Sequence, residues 1–539
     1  MLVDASFHAK DSANGSGSAT VRRRAPSDAM KAGHELGQDN IRTFGLDIHN
    51  PVFVVSSLTV IGFVAGVLVF QEDAAATFGM LRTWLTLTFD WVLMATANLF
   101  LLFCLVLVMT PLGRVRLGGL HARPDYSAAA WFAMLFAAGI GIGLMFFGVA
   151  EPVTHFLQPP LGSDGTDLVS ARRIGIAATI FHWGIHGWAI YAVVAVGLGV
   201  ASYNLGLPLT LRSAFYPLLG EAIWGRWGHL IDILAVFATL FGLATSLGLG
   251  AEQTAAGLAH LFGAPASSTT KVLLIVGITG MALVSVLMGI EKGVKRLSQA
   301  NLLLALVLLG FVLTVGPTRD IVAGVSASVG QYAASIGPLS NWVGREDLDF
   351  MRDWTLFYWA WWFSWSPFVG MFIARVSRGR TVRELIGCML VAPLLCCVLW
   401  MNAFGGTAVS QYVDHGYRDV FSAVQAQQPE IALFAMLDAL PMANVTSSMA
   451  IVLVVIFFVT SSDSGSLVID AITAGGKLDA PVVQRAFWCT LEGVVAIALL
   501  LGGGLIALQA AVITTGFPIA LALVAMCYST WRGLRTFVA

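Results

Sequence analysis

The sequence predicts an all-α membrane protein with twelve transmembrane helices. Hydrophobic residues make up 57% of the 539 residues and charged residues only 11%, whereas a soluble domain has about 25% charged residues. Twelve apolar segments are each long enough to cross about 30 Å of hydrocarbon, which takes roughly 20 residues. These segments are 51–70, 91–110, 129–150, 175–201, 230–250, 272–290, 300–316, 354–374, 385–406, 447–469, 484–504 and 506–531.

Charge and cysteine content exclude several classes of protein. The formal net charge is -1 and the pI is near 6.8, so no basic surface predicts a nucleic-acid partner. The six cysteines all lie inside apolar segments and have neither metal-ligand nor disulfide spacing. No nucleophile or metal constellation stands out at membrane depth. We therefore do not expect an enzyme.

Lysine and arginine are distributed unequally between alternate loops. The side of the membrane that holds the N-terminus carries 22 of the 30 basic residues. Because cytoplasmic loops are enriched in these residues, both termini are predicted to be cytoplasmic. We divide the chain into a disordered cytoplasmic tail at 1–45, a twelve-span domain at 46–535 and a short C-terminal end at 536–539. The tail cluster Arg22–Arg24 fits a topogenic signal or a contact with anionic membrane lipid.

Helix-breaking residues cluster in two of the predicted spans. The third span contains Gly139, Gly141 and Gly143 at alternate positions, and the eighth contains Ser366-Pro367 beside four tryptophans. Backbone groups freed inside a bilayer need protein, ion or ligand partners, although small residues also serve close helix packing. The two breaks lie five helices apart, as in inverted-repeat transporters with a midplane site. We expect two inverted five-helix repeats, spans 3–7 and 8–12, after two additional N-terminal spans.

Aromatic side chains cluster deep in two spans. Three share one face of the predicted fourth helix, within an arc of about 140° at 100° per residue. Three tryptophans of the eighth span are spaced i, i+3 and i, i+4 and are therefore neighbours. A dry cage of ring faces can bind a quaternary ammonium through cation–π contacts, and the alternative is ordinary aromatic packing between helices. The six residues are Trp183, Trp188 and Tyr191, followed by Trp361, Trp362 and Trp365.

Polar residues at membrane depth offer two further interpretations. His182 and His186 are spaced i, i+4, but no acidic or cysteine partner joins them in the sequence, so we expect structural hydrogen bonding instead of metal ligation. Asp463 lies in the hydroxyl-rich stretch 460–464. An intramembrane acid serves a function or a helix–helix bond, and the hydroxyl groups here favour coordination of a cation by hard oxygen atoms.

Several motifs together resemble the betaine/choline/carnitine transporter family, from about Gly45 to Arg535. The resemblance implies the architecture of inverted-repeat sodium symporters, a homotrimer and a place in the bacterial cytoplasmic (inner) membrane. The motifs are the segment from Gly139 to Pro152, the Trp183/Trp188/Tyr191 span, the segment from Trp359 to Gly370, and Arg378-Gly379-Arg380-Thr381.

The resemblance also implies roles for individual residues. An aromatic box around trimethylammonium would consist of four residues, two further tryptophans would line the cytoplasmic pathway, and N–H groups at three glycines would receive a substrate carboxylate. The ligands of one sodium ion would be two carbonyls of the third span and, in span ten, one carbonyl and two hydroxyls. The box residues are Trp183, Trp188, Tyr191 and Trp362, the pathway tryptophans are Trp361 and Trp365, and the glycines are Gly139, Gly141 and Gly143. The sodium ligands are the carbonyls of Ala137 and Ile140 in the third span and, in span ten, the Phe457 carbonyl with the hydroxyls of Thr460 and Ser461.

Two positions bear on the coupling ion and the substrate. A second sodium site of the family needs two threonines one turn apart, but this chain has Thr239 and then Leu243, with Phe368 as the aromatic partner. Proton-coupled choline carriers of the family have an acid where this chain has Gly143. The resemblance therefore implies sodium as the coupling ion, no other cofactor, and glycine betaine as substrate. A choline carrier coupled to sodium or protons and a sodium-coupled amino-acid symporter remain alternatives.

Overall fold

The protein is an almost entirely helical membrane protein. The computed structural model describes residues 36–139, 141–163, 165–288 and 291–538, with 291–295 as backbone only. The helices are α1 (Val52–Val69), α2 (Gln71–Thr88), α3 (Asp90–Met109), α4 (Ala128–Ala138), α5 (Ile142–Leu157), α6 (Leu168–Trp183), α7 (Ile185–Gly199), α8 (Tyr216–Leu219), α9 (Arg226–Phe262), α10 (Ser268–Met288), α11 (Glu291–Val315), α12 (Thr318–Ser340), α13 (Leu356–Val376), α14 (Val382–His415), α15 (Asp419–Gln425), α16 (Ala432–Asp438), α17 (Ala443–Thr473), α18 (Val482–Leu501) and α19 (Gly504–Arg535).

Short turns of 3-10 or π-helix connect several of these helices. A π-helical turn continues α7, and another leads directly into α13, so both of these buried helices are longer than their α-helical parts. The turns are Pro111–Arg114, Val200–Asn204, Leu211–Phe215, Gly220–Trp224, Phe350–Thr355 and Pro429–Ile431.

An antiparallel hairpin precedes the first span. Strands β1 (Asn40–Thr43) and β2 (Leu46–His49) are joined by Phe44 and Gly45, whose φ angles are 48° and 77°. Two successive positive φ angles are typical of the tight turns that match the twist of a hairpin. The disordered tail predicted at 1–45 is therefore wrong for 40–45, because strand pairing, and not apolar patterning, orders these residues. Residues 1–35 of that tail, with the cluster Arg22–Arg24, lie outside the described residues.

Eleven of the predicted spans coincide with candidate membrane helices. Within the described ranges, ten helices are long and apolar enough to cross a membrane, and the bent pair α4 and α5 counts as one more. The eighth predicted span coincides with α13, a 21-residue helix. Its tryptophans lower its mean hydropathy below that of the candidate membrane helices. An all-α membrane protein is thus confirmed, whereas the number twelve and the inverted repeats stay predictions.

Two long helices lie where the sequence analysis predicted only connections. Helix α2 has 18 residues and α12 has 23, and both are too polar to count as spans. Helix α2 packs against α19, and α12 packs against α6 and α14. These helices do not stand out as apolar segments of membrane length, because packing against other helices of the bundle stabilises them.

The predicted break at Ser366-Pro367 is wrong, because α13 continues through both residues. Proline has no N–H, so the carbonyl four residues earlier, here that of Phe363, loses its hydrogen-bond partner. The Ser366 hydroxyl donates to this carbonyl at 2.7 Å. A hydroxyl one position before the proline thus replaces the missing backbone hydrogen bond, and the helix has no reason to open.

Candidate functional site

The third predicted span is broken at its glycine cluster. Helix α4 ends at Ala138 and α5 begins at Ile142, and the two axes differ by 58°. Gly141 has extended backbone angles, φ -152° and ψ -177°, and provides no side-chain cap for α5. The first N–H groups of a helix have no partner within it. At the start of α5, the N–H groups of Ile142 and Gly143 therefore lack partners within the helix. The N–H group of Gly139, predicted to receive a carboxylate, instead donates to the Phe136 carbonyl at 3.0 Å.

A second interruption lies in the fourth span, where the sequence predicted one continuous helix. Helix α6 ends at Trp183 and α7 begins at Ile185, with Gly184 at φ -95° and ψ -143° between them. A Cβ atom on Gly184 would lie 2.5 Å from the Ile180 carbonyl oxygen, so only glycine fits this interruption, although α6 and α7 still form one candidate span. Trp183 thus precedes the interruption and Trp188 follows it.

The four predicted box residues form one cluster with Trp362 at its centre. The ring centroid of Trp362 lies 4.8 Å from that of Tyr191, 5.6 Å from that of Trp188 and 6.0 Å from that of Trp183. The interplanar angles of these pairs are 55°, 65° and 72°. Inclined pairs at these distances are also the ordinary packing of aromatic rings, so the angles fit both a cage and packing between helices. The cavity beside the rings favours a cage.

A cavity of about 100 Å³ lies beside this cluster. Pockets for drug-sized ligands occupy about 300–1,000 Å³, so this cavity suits only a much smaller molecule. All nine residues predicted to bind substrate line it: Gly139, Gly141, Gly143, Trp183, Trp188, Tyr191, Trp361, Trp362 and Trp365. The sequence analysis missed seven further lining residues: Ala138, Ile142, Leu144, Ser246, Val369, Pro393 and Cys397.

Small residues at two positions leave room for the cage rings. A Cβ atom on Gly143 would lie 2.2 Å from Cη2 of Trp183 and 3.1 Å from Cη2 of Trp361. A Cβ atom on Gly187 would lie 2.4 Å from Cε2 of Trp362. Gly143 therefore sets the position of Trp183, and any side chain there requires the ring to move. No local pattern marks Gly187, because it stands outside the glycine cluster.

Two indole N–H groups of the cavity wall have no hydrogen-bond partner. Among the described residues, the Nε1 atoms of Trp361 and Trp365 are buried and unpaired. Indole nitrogen is a donor only, and a buried donor without an acceptor costs about 1–3 kcal/mol. Both side chains line the cavity, but the indole edge of Trp365 faces α9, where a Cβ atom on Gly242 would lie 3.2 Å from its Nε1. The two tryptophans therefore contribute ring surface to the cavity.

A buried carboxylate behind the cage anchors Trp183 and neighbouring groups. Oε2 of Glu151 accepts hydrogen bonds from Nε1 of Trp183 at 2.9 Å and from the Tyr358 hydroxyl at 2.5 Å. Oε1 lies 2.6 Å from Nδ1 of His182, and the His182 carbonyl accepts from Nε1 of Trp362 at 3.0 Å. The sequence analysis quoted Glu151 in a motif but assigned it no role, since these partners come from two other helices, α6 and α13.

The predicted lack of an acidic partner for His182 is wrong, because Glu151 approaches it from another span. Nε2 of His182 also lies 2.9 Å from the Thr355 hydroxyl, and Nε2 of His186 lies 3.2 Å from that of Ser340. Glu151, His182 and His155 place one ligand atom each within 4.8 Å of one another. For His182, hydrogen bonds to both ring nitrogens account for its position without a metal ion.

Comparison with known proteins gives the family of the chain. The profile described as "BCCT, betaine/carnitine/choline family transporter" matches residues 51–538. The chain belongs to this family. A glycine betaine/proline/choline transporter of Vibrio parahaemolyticus is 55% identical over 94% of both chains. A glycine betaine transporter of Acinetobacter baylyi is 42% identical over 90% of this chain and 73% of its own. The predicted resemblance is confirmed, and the protein is a multi-pass membrane transporter, not an enzyme.

The sodium ligands that this family resemblance implied lie on α4 and α17. Ala137 is in the last turn of α4, where its carbonyl accepts from the N–H of Gly139 that caps the helix, and Ile140 lies outside the described residues. The Thr460 hydroxyl donates to the carbonyls of Phe457 and Ile456, at 3.1 and 2.9 Å. Ser461 is half-buried on the same helix. The role of these residues as ion ligands stays a prediction.

Three other positions that bear on ion binding differ in the contacts that their side chains make. Asp463, interpreted from the sequence as a candidate ion ligand, pairs with Arg485 of α18 at 2.8 Å, which favours the helix–helix bond instead. The Thr239 hydroxyl is buried and unpaired among the described residues. Leu243, one turn later, would contact a Cβ atom on Gly465 at 2.2 Å, so it fills the space between α9 and α17.

Proposed function

We propose that this protein carries glycine betaine across the membrane by sodium symport with alternating access. The observation that supports it is one cavity where a four-ring cage and the start of α5 meet. Ring faces attract a trimethylammonium group, by about 0.5–2 kcal/mol for each contact. The N–H groups at the start of α5 suit a carboxylate. The two kinds of wall match the two ends of a small zwitterion.

Choline is the second candidate substrate. A relative of this chain is named as a transporter of glycine betaine, proline and choline, and an aromatic cage distinguishes head groups, not the rest of the molecule. Choline has no carboxylate, however, and would leave the N–H groups at the start of α5 without an anionic partner. Amino acids are the third candidate, although a primary ammonium needs carbonyl acceptors more than aromatic rings.

Sodium coupling rests on the third glycine and on the oxygen atoms of α4 and α17. Gly143 stands where a proton-coupled choline carrier of the family would have an acid, and a zwitterion needs no balancing charge there. Carbonyl and hydroxyl oxygens such as those of Ala137, Phe457 and Thr460 suit a hard cation. Leu243 has no such oxygen, and we therefore propose one sodium ion at this set of ligands.

The proposal includes an arrangement in the membrane. We place twelve spans, as two inverted five-helix repeats after two additional spans, in the bacterial cytoplasmic membrane, with both termini in the cytoplasm. The excess of Lys and Arg on one side supports this orientation. The family resemblance supports a homotrimer embedded in lipid. Cross-linking in native membranes and labelling of single cysteines from either side would test these assignments.

Uptake by purified protein in proteoliposomes tests the function directly. We expect saturable uptake of labelled glycine betaine that requires an inward sodium gradient and is inhibited by excess betaine more than by choline, carnitine, ectoine or proline. An imposed proton gradient without sodium should drive no uptake. Uptake driven by protons alone would contradict sodium coupling, and stronger inhibition by choline would make choline the substrate.

A further inference from the structure

Glu151 is a completely buried carboxylate in the middle of a membrane helix. Its side chain is 0% exposed, and among the described residues its ion-pair partners are histidines, with no lysine or arginine. An ionisable group at membrane depth is expensive to bury and usually serves a function. The cavity, the rings and the broken helices explain substrate binding without explaining why an acid stands behind them.

The groups around Glu151 are donors, which suits an ionised carboxylate. Indole nitrogen can only donate, so Oε2 of Glu151 is the acceptor of the 2.9 Å hydrogen bond from Trp183. The Tyr358 hydroxyl reaches the same oxygen, and His182 reaches the other. A carboxylate with hydrogen bonds to both oxygens can stay charged where an unpaired one could not.

Two cage walls depend on this carboxylate. Trp183 is held by its indole N–H, and its opposite edge reaches Gly143 at the start of α5. Trp362 donates its own indole N–H to the carbonyl of His182, the residue whose ring contacts Glu151. Glu151 therefore controls the orientation of two of the four rings, although it does not line the cavity itself.

The negative charge of Glu151 acts on a bound ligand, in addition to holding the cage rings in place. An indole that donates to an anion gains electron density, and a cation is attracted to the negative face of such a ring. A charge in the dry interior also acts over several ångströms, because little water screens it. Both effects stabilise a cationic head group in the cage and do nothing for an uncharged group of the same shape.

We propose that Glu151 is the positioning residue that makes the cage selective for a positively charged head group. It holds Trp183 and Trp362 in place and gives the wall its negative potential. This inference rests on the proposed function, since it names the residue that sets the head-group selectivity of the same site.

The test compares glycine betaine with its carbon isostere, 3,3-dimethylbutyrate, in which carbon replaces the ammonium nitrogen. Binding of labelled betaine to purified protein, and its displacement by the isostere, give both affinities. In Glu151→Gln we expect betaine affinity to fall by about tenfold or more, the equivalent of one or two cation–π contacts. Affinity for the isostere should stay unchanged or rise, so the ratio of the two affinities falls.

Tyr358→Phe is the matched control, because it removes one hydrogen bond to Glu151 but keeps the carboxylate charge. We expect its affinity ratio to stay near that of the wild type. Equal losses for both ligands in Glu151→Gln would show that the residue only supports the structure, which overturns the inference. If Glu151→Gln does not reach the membrane, Glu151→Asp replaces it. Because Asp keeps the charge, we expect its affinity ratio to stay near that of the wild type, and a ratio that falls in this variant overturns the inference.

The wild-type measurement separates this inference from the proposed function. A wild-type protein that does not discriminate betaine from the isostere contradicts both together. A wild-type protein that discriminates, with the same ratio in Glu151→Gln, contradicts the role of Glu151 and leaves the proposed function in place.

Discussion

The third and eighth spans both contain helix-breaking residues, yet only the third is broken. Between Ala138 and Ile142 the chain leaves the helix, whereas α13 passes through Pro367 without interruption. In α13, the carbonyl freed by the proline finds the Ser366 hydroxyl in the same turn. The glycines of the third span have no side chain that could do this. A breaker opens a helix when its freed backbone groups lack a local partner.

The two spans consequently contribute different chemistry to the same cavity. The broken span brings backbone N–H groups and the space beside Gly143, while the continuous span brings the rings of Trp361, Trp362 and Trp365. A helix that stays intact holds its side chains at fixed angles, and an opened helix exposes its main chain. Each of the following variants tests one part of this comparison.

The largest effect is expected when the continuous span loses its central ring. Trp362→Leu should abolish saturable betaine uptake, because this ring contacts the other three walls of the cage. Trp359→Leu is the control, since Trp359 is equally buried in the same helix but does not line the cavity. We expect it to lower stability and leave the half-saturating betaine concentration close to normal. Normal affinity in Trp362→Leu would refute the cage.

The next largest effect concerns the space in the broken span. Gly143→Ala should weaken betaine binding by about tenfold or more, since even a methyl group 2.2 Å from Trp183 displaces a cage wall. Gly277→Ala is the control, because nothing lies within 4 Å of its Cβ position. Binding titrations of the wild type and both variants with betaine measure this effect. Unchanged affinity in Gly143→Ala would show that Trp183 moves freely.

Gly143→Asp isolates charge from space when it is compared with Gly143→Ala. Both place a Cβ atom against Trp183, but Asp also adds a larger, charged carboxylate, which attracts the net positive charge of choline and repels the carboxylate of betaine. We expect the ratio of choline to betaine affinity to be higher in the Asp variant than in the Ala variant. Competition constants measured at several pH values would show it, and equal ratios would mean that Gly143 acts only by its size.

A moderate effect is expected at the predicted ion ligands. Thr460→Ala combined with Ser461→Ala should raise the sodium concentration needed for half-maximal uptake several-fold, because two hard oxygen ligands are lost. The maximal rate at saturating sodium should change less. Uptake measured against external sodium provides the answer, and an unchanged curve would place the ion elsewhere. Ser448→Ala, on an exposed face of the same helix, is the control.

The smallest effect is expected at Ser366, whose hydroxyl replaces the backbone hydrogen bond that Pro367 cannot make in the continuous span. Ser366→Ala leaves the Phe363 carbonyl without its partner, at a cost of about 1–3 kcal/mol for a buried group. Thermal unfolding in detergent should therefore begin at a lower temperature. Ser448→Ala again serves as control, because its hydroxyl donates to Asn444, whose carbonyl has an ordinary helical partner four residues on. Equal stability of the two variants would contradict our explanation of the intact helix.

Much of the fold could be predicted because membrane spans obey a simple length rule. Eleven predicted spans coincide with candidate membrane helices, and the eighth coincides with α13, although the number twelve stays a prediction. Helices α2 and α12 could not be found this way, because packing against other helices stabilises them. The hairpin at Asn40–His49 was missed for a similar reason, since its partners Ala474 and Lys477 lie more than 400 residues away.

The cavity-lining residues could be predicted, but the groups that hold them could not. Rings and glycines are visible as local clusters, and all nine predicted residues meet at one cavity. Glu151 and Gly187 act through neighbours on other helices, which no local pattern reveals. The opening at Gly184 and the closure at Pro367 depend on single contacts, with Ile180 and Ser366 respectively.

The hairpin before the first span ties the beginning of the chain to the end of span ten. Asp47 accepts from Lys477 at 2.8 Å, and Asn40 donates to the Ala474 carbonyl at 2.9 Å. Burial alone would raise the pKa of Asp47, but hydrogen bonds from Lys477 and Asn40 hold it below its usual value, so the tie weakens only as pH falls through that lowered pKa. A truncation that ends before residue 36 keeps both contacts. One that removes Asp47 frees the end of α17, the helix that carries Thr460 and Ser461, so shortened proteins should be cut with this boundary in mind.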